Sequence, residues 1–562
     1  MRAGLRWSWA LLVALGGGCG LLSGAEFDVV LRHGTIYDGG GGAPYVGDVA
    51  LKGDRIAAVG DVGAGRGLLE VEVRGLAVAP GFVNMLSNNV ALLHDGRSQS
   101  DLRQGVTLEV LGEGTSMGPM TAAMKTEAKA LQGDIKFPYE WTTLGQYLEH
   151  LERRGVSCNF TSFVGATTVR LHELGHENRE PTAAELARMQ ALVREAMEEG
   201  AVGISSALIY EPGFYAKTSE LIALARAVAP YGGRYQSHLR SEGNQFVEAV
   251  DEVITIAREA GVPAGIYHLK AAGQSNWPKL ETVIQRIESA RASGLAIVAD
   301  MYTYTAAASG LDAMMPPWVR AGGYQAWASR LRDPAVRERV KREIVAPSSE
   351  WENFYLAAGS PDKILLAVFK NPALKPLAGK TLAEVAKLRG SSPVETAMDL
   401  VIEDGSVVGA VYFLMSEESV RRQIALPWMA FDSDESSQAP EGVFLRSNPH
   451  PRAYGTFARI LGKYVRDEKA LSLAEAVRRL SLFPAQNLNL RERGALRPGW
   501  VADVVVFDPA SIQDHATYDQ PHQYATGMRH VFVNGVAVIR DGEHTGAKPG
   551  RFVRGPGWRP KP

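Results

Sequence analysis

The sequence predicts an α/β protein: a (β/α)8 TIM-like barrel, a small β-sandwich domain built from both termini, and an insertion late in the barrel. Three observations predict it. Strand-like and helix-like runs alternate through the long middle of the chain, which is the pattern of parallel βα units. Both ends are instead short β-elements and turns. Within the middle, Gly232-Gly-Arg-Tyr-Gln-Ser-His238 and Pro263-Ala-Gly-Ile-Tyr-His268 repeat one design, a short strand that ends in His, then Leu, then a basic residue.

The N-terminus reads as a targeting segment. Arg2 and Arg6 precede the apolar run from Trp7 to Leu15, and small residues follow. Cleavage after Ala25 would release a soluble chain, whereas Cys19 after three glycines is the alternative, a lipid-anchor site. The expectation is an exported protein, periplasmic or secreted. The run is shorter than the roughly 20 residues of a comfortable span, and no other segment reads as transmembrane. Cys19 and Cys158 are the two cysteines. A mature chain with one Cys has no internal disulfide, and Cys158, in an apolar run, reads as core. The net charge of −2 argues against a nucleic-acid partner held by bulk electrostatics and leaves a small-molecule substrate open.

Residues 26–79 form the first part of the terminal domain, with a hairpin turn at Gly53-Asp54, and residues 484–562 supply the second, with an Asn534-Gly535 turn. The barrel occupies 80–483. Its helices carry their own punctuation: Thr182-x-x-Glu185, Thr381-x-x-Glu384 and Ser472-x-x-Glu475 are capping-box patterns. Nine strand candidates compete for eight places, and the surplus is assigned to an insertion at about 311–407. Between the two His-bearing strands, Phe246, Val247, Val250, Val253, Ile254 and Ala257 recur at helical spacing. Strand–His–helix–strand–His brings His238 and His268 to the same face of a parallel unit, and two such imidazoles suit a divalent metal.

Ordered motifs carry a resemblance. They are Ala79-Pro-Gly-Phe-Val, Gln104-Gly-Val-Thr, Ser237-His-Leu-Arg-Ser-Glu-Gly243, His268-Leu-Lys-Ala-Ala-Gly273, Asp300-Met-Tyr-Thr-Tyr304, Ser433-Asp434, Asn448-Pro-His-Pro-Arg-x-Tyr-Gly-Thr-Phe457 and Arg497-Pro-Gly-x-x-Ala-Asp503. The chain from Glu26 onward resembles the amidohydrolase superfamily and, within it, the D-aminoacylase (N-acyl-D-amino-acid deacylase) family. The resemblance implies a metal at the C-terminal mouth of the barrel, with His238 and His268 as ligands and Asp434 as the carboxylate that moves the proton. It implies that Arg452, Lys270 and Tyr302 bind the substrate's α-carboxylate end, and that Tyr412 and Met415 line its side-chain pocket.

The chain also departs from that pattern. Where the family has His-x-His after Pro-Gly-Phe, this sequence has Leu86 and Asn88. Gly114 falls at the bridging Cys, and Gly165-Ala-Thr167 stands at the strand-three His. A binuclear site is therefore not expected. Glu113, between two glycines, is expected to replace the lost ligands and complete a His₂–carboxylate set around one divalent ion, with Zn2+ the default. The function expected is hydrolysis of N-acyl-D-amino acids or related D-amino-acid peptides. A pseudoenzyme that binds acyl amino acids without cutting them and a cyclic-amide (hydantoinase-like) hydrolase are the alternatives.

Overall fold

The computed structural model describes residues 25–348 and 350–560. The leader read at 1–25, with Cys19, lies outside the described residues except for Ala25.

Eight parallel strands form the barrel: β1 Phe82–Asn84, β2 Val106–Leu111, β3 Asn159–Ser162 continued by Val164–Gly165, β4 Gly203–Ala207, β5 Arg234–His238, β6 Ala264–Ile266, β7 Ile297–Met301 and β8 Met429–Phe431. The broken third strand joins two runs of pairing, since its first half pairs with β2 and its second half with β4. Met85 N–H donates to Phe431 O at 3.2 Å and Asp434 N–H to Leu86 O at 3.0 Å, which close β8 onto β1. The predicted run from Leu76 to Asn84 is two strands. Ala77–Pro80 belongs to the terminal sheet, and the chain turns into the barrel at Gly81, where an added Cβ would lie 2.0 Å from Thr107 Oγ1.

The connecting helices pack by their apolar stripes. Phe246–Ala260 buries Phe246, Val250, Val253, Ile254 and Ala257 against the barrel wall, each large apolar side chain contributing about 1.5–3 kcal/mol on leaving water. Gly261, in the left-handed region at φ +68°, ends it. Both reciprocal bonds of the capping box are present at Thr182 and Thr381, whereas Ser472 makes only its own half.

The surplus strand Gly409–Tyr412 lies outside the barrel. It pairs antiparallel with Ala307–Gly310 and with Ile364–Val368. This small sheet, between β7 and β8, has its own core of Leu311, Met314, Trp327, Ile344, Leu366 and Met398.

The termini meet in one nine-stranded sheet. Ala77–Pro80 sits between Ala25–Ile36 on one side and Val504–Phe507 on the other, with Ala79 opposite Val505. Asp503 ties this sheet to the barrel, accepting hydrogen bonds from Asn159 Nδ2 and from the Asn534 backbone N–H, and pairing with Arg493. Among the described residues, no helix is long and apolar enough to cross a membrane.

Candidate metal centre

The C-terminal ends of β2, β5 and β6 build the centre. His238 is the last residue of β5, opposite Ala207 of β4. His268 lies two residues beyond β6, not within a strand reaching to 268 as the sequence suggests. Its backbone turns to φ +33°, held by its N–H donating to Asp300 Oδ1 at 2.7 Å. A positive φ in a residue other than glycine is strained, and here the strain swings the imidazole towards β5. Glu113 rides on a turn between Gly112 at φ +95° and Gly114 at φ +58°. Ser205 of β4 clamps that turn, its Oγ donating to Gly112 O and accepting from Gly114 N–H at 3.0 Å.

Three ligand-type atoms converge. Glu113 Oε1 is 3.1 Å from His238 Nδ1 and 3.0 Å from His268 Nε2, and the two nitrogens are 3.0 Å apart. Ligands at tetrahedral zinc distances stand about 3.3 Å from one another, so the triangle is close to the size of one coordination face. The ring orientation agrees: His268 Nδ1 faces away from the cluster, 3.0 Å from Glu242 Oε1 and 2.7 Å from Lys270 Nζ, so Nε2 is the nitrogen that points into the triangle. This is the one group of three such residues, among those described, that could hold a metal ion. Burial opposes the charge on Glu113, but hydrogen bonds to His238 and His268 outweigh it and hold its carboxyl well below the usual range. Burial and Lys270 push the His268 pKa down, yet Asp434, Glu242 and Glu113 raise it to about 10.

Lys270 is buried, and its Nζ donates to Glu242 Oε1 at 2.6 Å. It lies 5.4 Å from the centre of the Tyr302 ring, which also has the Arg452 guanidinium at 4.4 Å. Tyr302 is buried with its hydroxyl unpartnered. Asp434 follows β8 in a left-handed backbone at φ +47° and pairs through Oδ2 with Arg452 Nη1 at 2.8 Å. The Glu113 and Asp434 side chains keep 20% and 15% exposure, so the cluster meets solvent on this edge.

Two expected residues are not brought to this cluster. Tyr412 is fully buried in the core of the insertion, its hydroxyl donating to Gly310 O at 2.9 Å and its ring against Phe354. Met415 packs against that same core, with its N–H on Thr305 O. Tyr412, fully buried, lines no open pocket in this structure, whereas Met415 is half-buried at the edge of that core, as Tyr210 is. Tyr210, just after β4, is the aromatic that sequence reasoning missed. Its ring is 5.5 Å from that of His238 and its hydroxyl 2.8 Å from Ser309 Oγ, so it joins the centre to the insertion.

The departures from the family pattern are built into the packing. Leu86 is fully buried beside Val83, Val110, Phe163 and Tyr267, and Asn88 is exposed. A Cβ on Gly114 would lie 2.5 Å from Ala207 Cβ, and one on Gly165 would lie 2.4 Å from Gly114 O. At these two positions a side chain would collide with the neighbouring strand or turn.

The frame is that of an amidohydrolase, and a family model described as "Amidohydrolase family" matches residues 370–539. The D-aminoacylase of Alcaligenes xylosoxydans xylosoxydans is 32% identical over 94% of this chain and 97% of that protein. A solved D-aminoacylase, reported for the functional role of its binuclear metal centre, covers 94% of this chain and 100% of its own at 32% identity and a TM-score of 0.78. An N-acyl-D-glutamate deacylase from Bordetella bronchiseptica, solved with zinc and a phosphonate inhibitor, covers 94% and 99% at 29% identity and a TM-score of 0.76. The chain belongs to the D-aminoacylase family of amidohydrolases.

Proposed function

We propose that this chain hydrolyses the amide bond of N-acyl-D-amino acids, or of related D-amino-acid peptides, with one zinc ion per chain. The observation that carries the reading is the triangle of Glu113 Oε1, His238 Nδ1 and His268 Nε2, each within 3.1 Å of the others, beside the Asp434–Arg452 pair. Those three residues would hold a divalent ion, which would supply Lewis acidity for the acyl carbonyl and lower the pKa of a water towards neutrality.

The residues of the chain do the rest. Glu242 fixes the His268 ring and, with Lys270, neutralises a buried charge. Arg452 grips the substrate's α-carboxylate through a planar fork of donors. The Tyr302 ring supports that guanidinium from beneath. Asp434 accepts the proton of the attacking water and passes it to the leaving nitrogen, the work of a positioned carboxylate. The relatives' names support the substrate class, since they act on N-acyl-D-amino acids by name. For cellular location, the basic and apolar leader supports export, with the mature chain soluble or lipid-anchored through Cys19.

The test is elemental analysis of protein starting at Glu26, beside Glu113→Ala, together with hydrolysis of a panel of N-acyl D- and L-amino acids. About one zinc per chain, lost in the variant, with release of free D-amino acid, is the expected result. Tight binding of the panel without turnover in metal-supplemented protein would instead make this a binding protein.

A further inference from the structure

The Arg452 side chain is only 3% exposed, in the first turn of the helix Arg452–Arg459. Its guanidinium already has a carboxylate. Nη1 is 2.8 Å from Asp434 Oδ2, and Nη2 donates to the Asp434 carbonyl oxygen at 2.6 Å. The pairing is nevertheless poor. Nη1 makes no aligned hydrogen bond despite the short distance, and Nε, also buried, has no acceptor. Arg452 is thus neutralised but under-bonded, and a buried donor left unmade is costly. A second carboxylate presenting both oxygens in the guanidinium plane would satisfy donors that Asp434 leaves idle. Asp434, for its part, has an anchored backbone, its N–H on Leu86 O at 3.0 Å, so only its carboxylate is free to turn away.

We infer that Asp434 and Arg452 form an exchangeable ion pair: the substrate's α-carboxylate takes the place of the Asp434 carboxylate on Arg452, and the carboxylate so released serves the attacking water. The inference rests on the hydrolase reading above. One carboxylate replaces another against the same guanidinium, so Arg452 keeps a single anionic partner, the released Asp434 stays in the site as a free carboxylate, and no covalent bond moves. Its consequence is that the α-carboxylate is part of the catalytic machinery as well as the handle for recognition. A substrate lacking it leaves Asp434 docked on Arg452 and loses kcat as well as affinity.

The test supplies the carboxylate separately. Wild-type enzyme is given the N-acyl-D-amino acid it cuts best and, in parallel, the matching N-acyl amine that lacks the carboxyl group. Propionate is then added to the neutral substrate. The expected result is saturable activation by severalfold, abolished in Arg452→Ala; inhibition alone, or no effect, overturns the inference. As a second measurement, calorimetry compares propionate binding to wild type and to Asp434→Asn. Removal of the competing carboxylate should tighten binding about tenfold, and unchanged or weaker binding overturns the exchange. The activation arm separates exchange from simple relief of repulsion, which gives tighter binding but no activation. Failure of wild type to cut any N-acyl-D-amino acid sinks the hydrolase reading instead, and the calorimetric arm still decides whether the two carboxylates compete.

Discussion

Putting the family's bridging residue back should damage this protein without creating a second metal site. The change is Gly114→Cys. Gly114 sits at φ +58°, a conformation that costs an L-residue about 1–2 kcal/mol. Its new Cβ would lie 2.5 Å from Ala207 Cβ and 2.6 Å from Ala207 N, and both belong to a strand of the barrel wall that cannot step aside. Overpacking of this kind costs about 1–3 kcal/mol, so the sum is about 2–5 kcal/mol. The strain falls on the turn that carries Glu113, and Gly114 N–H must also keep its bond to Ser205 Oγ. Urea unfolding followed by tryptophan fluorescence should therefore show a clearly lower midpoint, and elemental analysis no more metal than in wild type. A variant that unfolds at the wild-type midpoint and carries two metal ions per chain would refute the packing argument.

Other expectations follow from the same geometry. Glu113→Gln keeps the shape but loses the charge, so metal affinity should fall by at least about 100-fold in a chelator competition, whereas Glu242→Gln, which acts through His268, should cost about 10–100-fold. Arg452→Lys keeps the charge and loses the fork, and kcat/KM for α-carboxylate substrates should drop about 10–100-fold. Glu109 is buried beneath the barrel wall, and burial, reinforced by Asp101, raises its carboxyl to about 8. Folding thus favours the protonated form, so this group's contribution is fully present below its unfolded pKa near 4.5 and is lost as pH rises towards 8. Glu109→Gln should therefore gain stability relative to wild type between pH 5 and pH 9, on the order of a few kcal/mol; equal urea midpoint differences at the two pH values would show that Glu109 is ionised in the fold.

What was legible in the sequence was whatever depends on local pattern. The His-ended strands, the helix between them and the β-rich termini each announce themselves by periodicity, and His238 and His268 follow from strand polarity alone. Glu113 was legible as a lone acid between glycines at a strand end, because a carboxylate on a turn made of positive-φ residues is aimed by that turn. The setting of Tyr412 and Met415 was not legible, for the opposite reason. Both lie on or just after a strand that resembles barrel wall in isolation, and only its antiparallel partners, Ala307–Gly310 and Ile364–Val368, show that it belongs to a separate small sheet. The ion pair of Asp434 with Arg452 and the link from Tyr210 to Ser309 are contacts between side chains far apart in sequence, set by loop trajectories that no spacing rule encodes. The kink at His268 depends likewise on a carboxylate 32 residues away.

The shared terminal sheet has a consequence for how the chain comes into being. Ala77–Pro80 finds its outer neighbour only when Val504–Phe507 arrives, more than 400 residues later. Until then a nascent chain displays an unpaired apolar edge, and contacts of such long reach form late and slowly. A chaperone that shields this edge, or a route that delays folding until synthesis is complete, would suit the protein. Deleting the last strands should yield aggregates from an otherwise intact barrel, because Val504–Phe507 is what covers the edge of Ala77–Pro80.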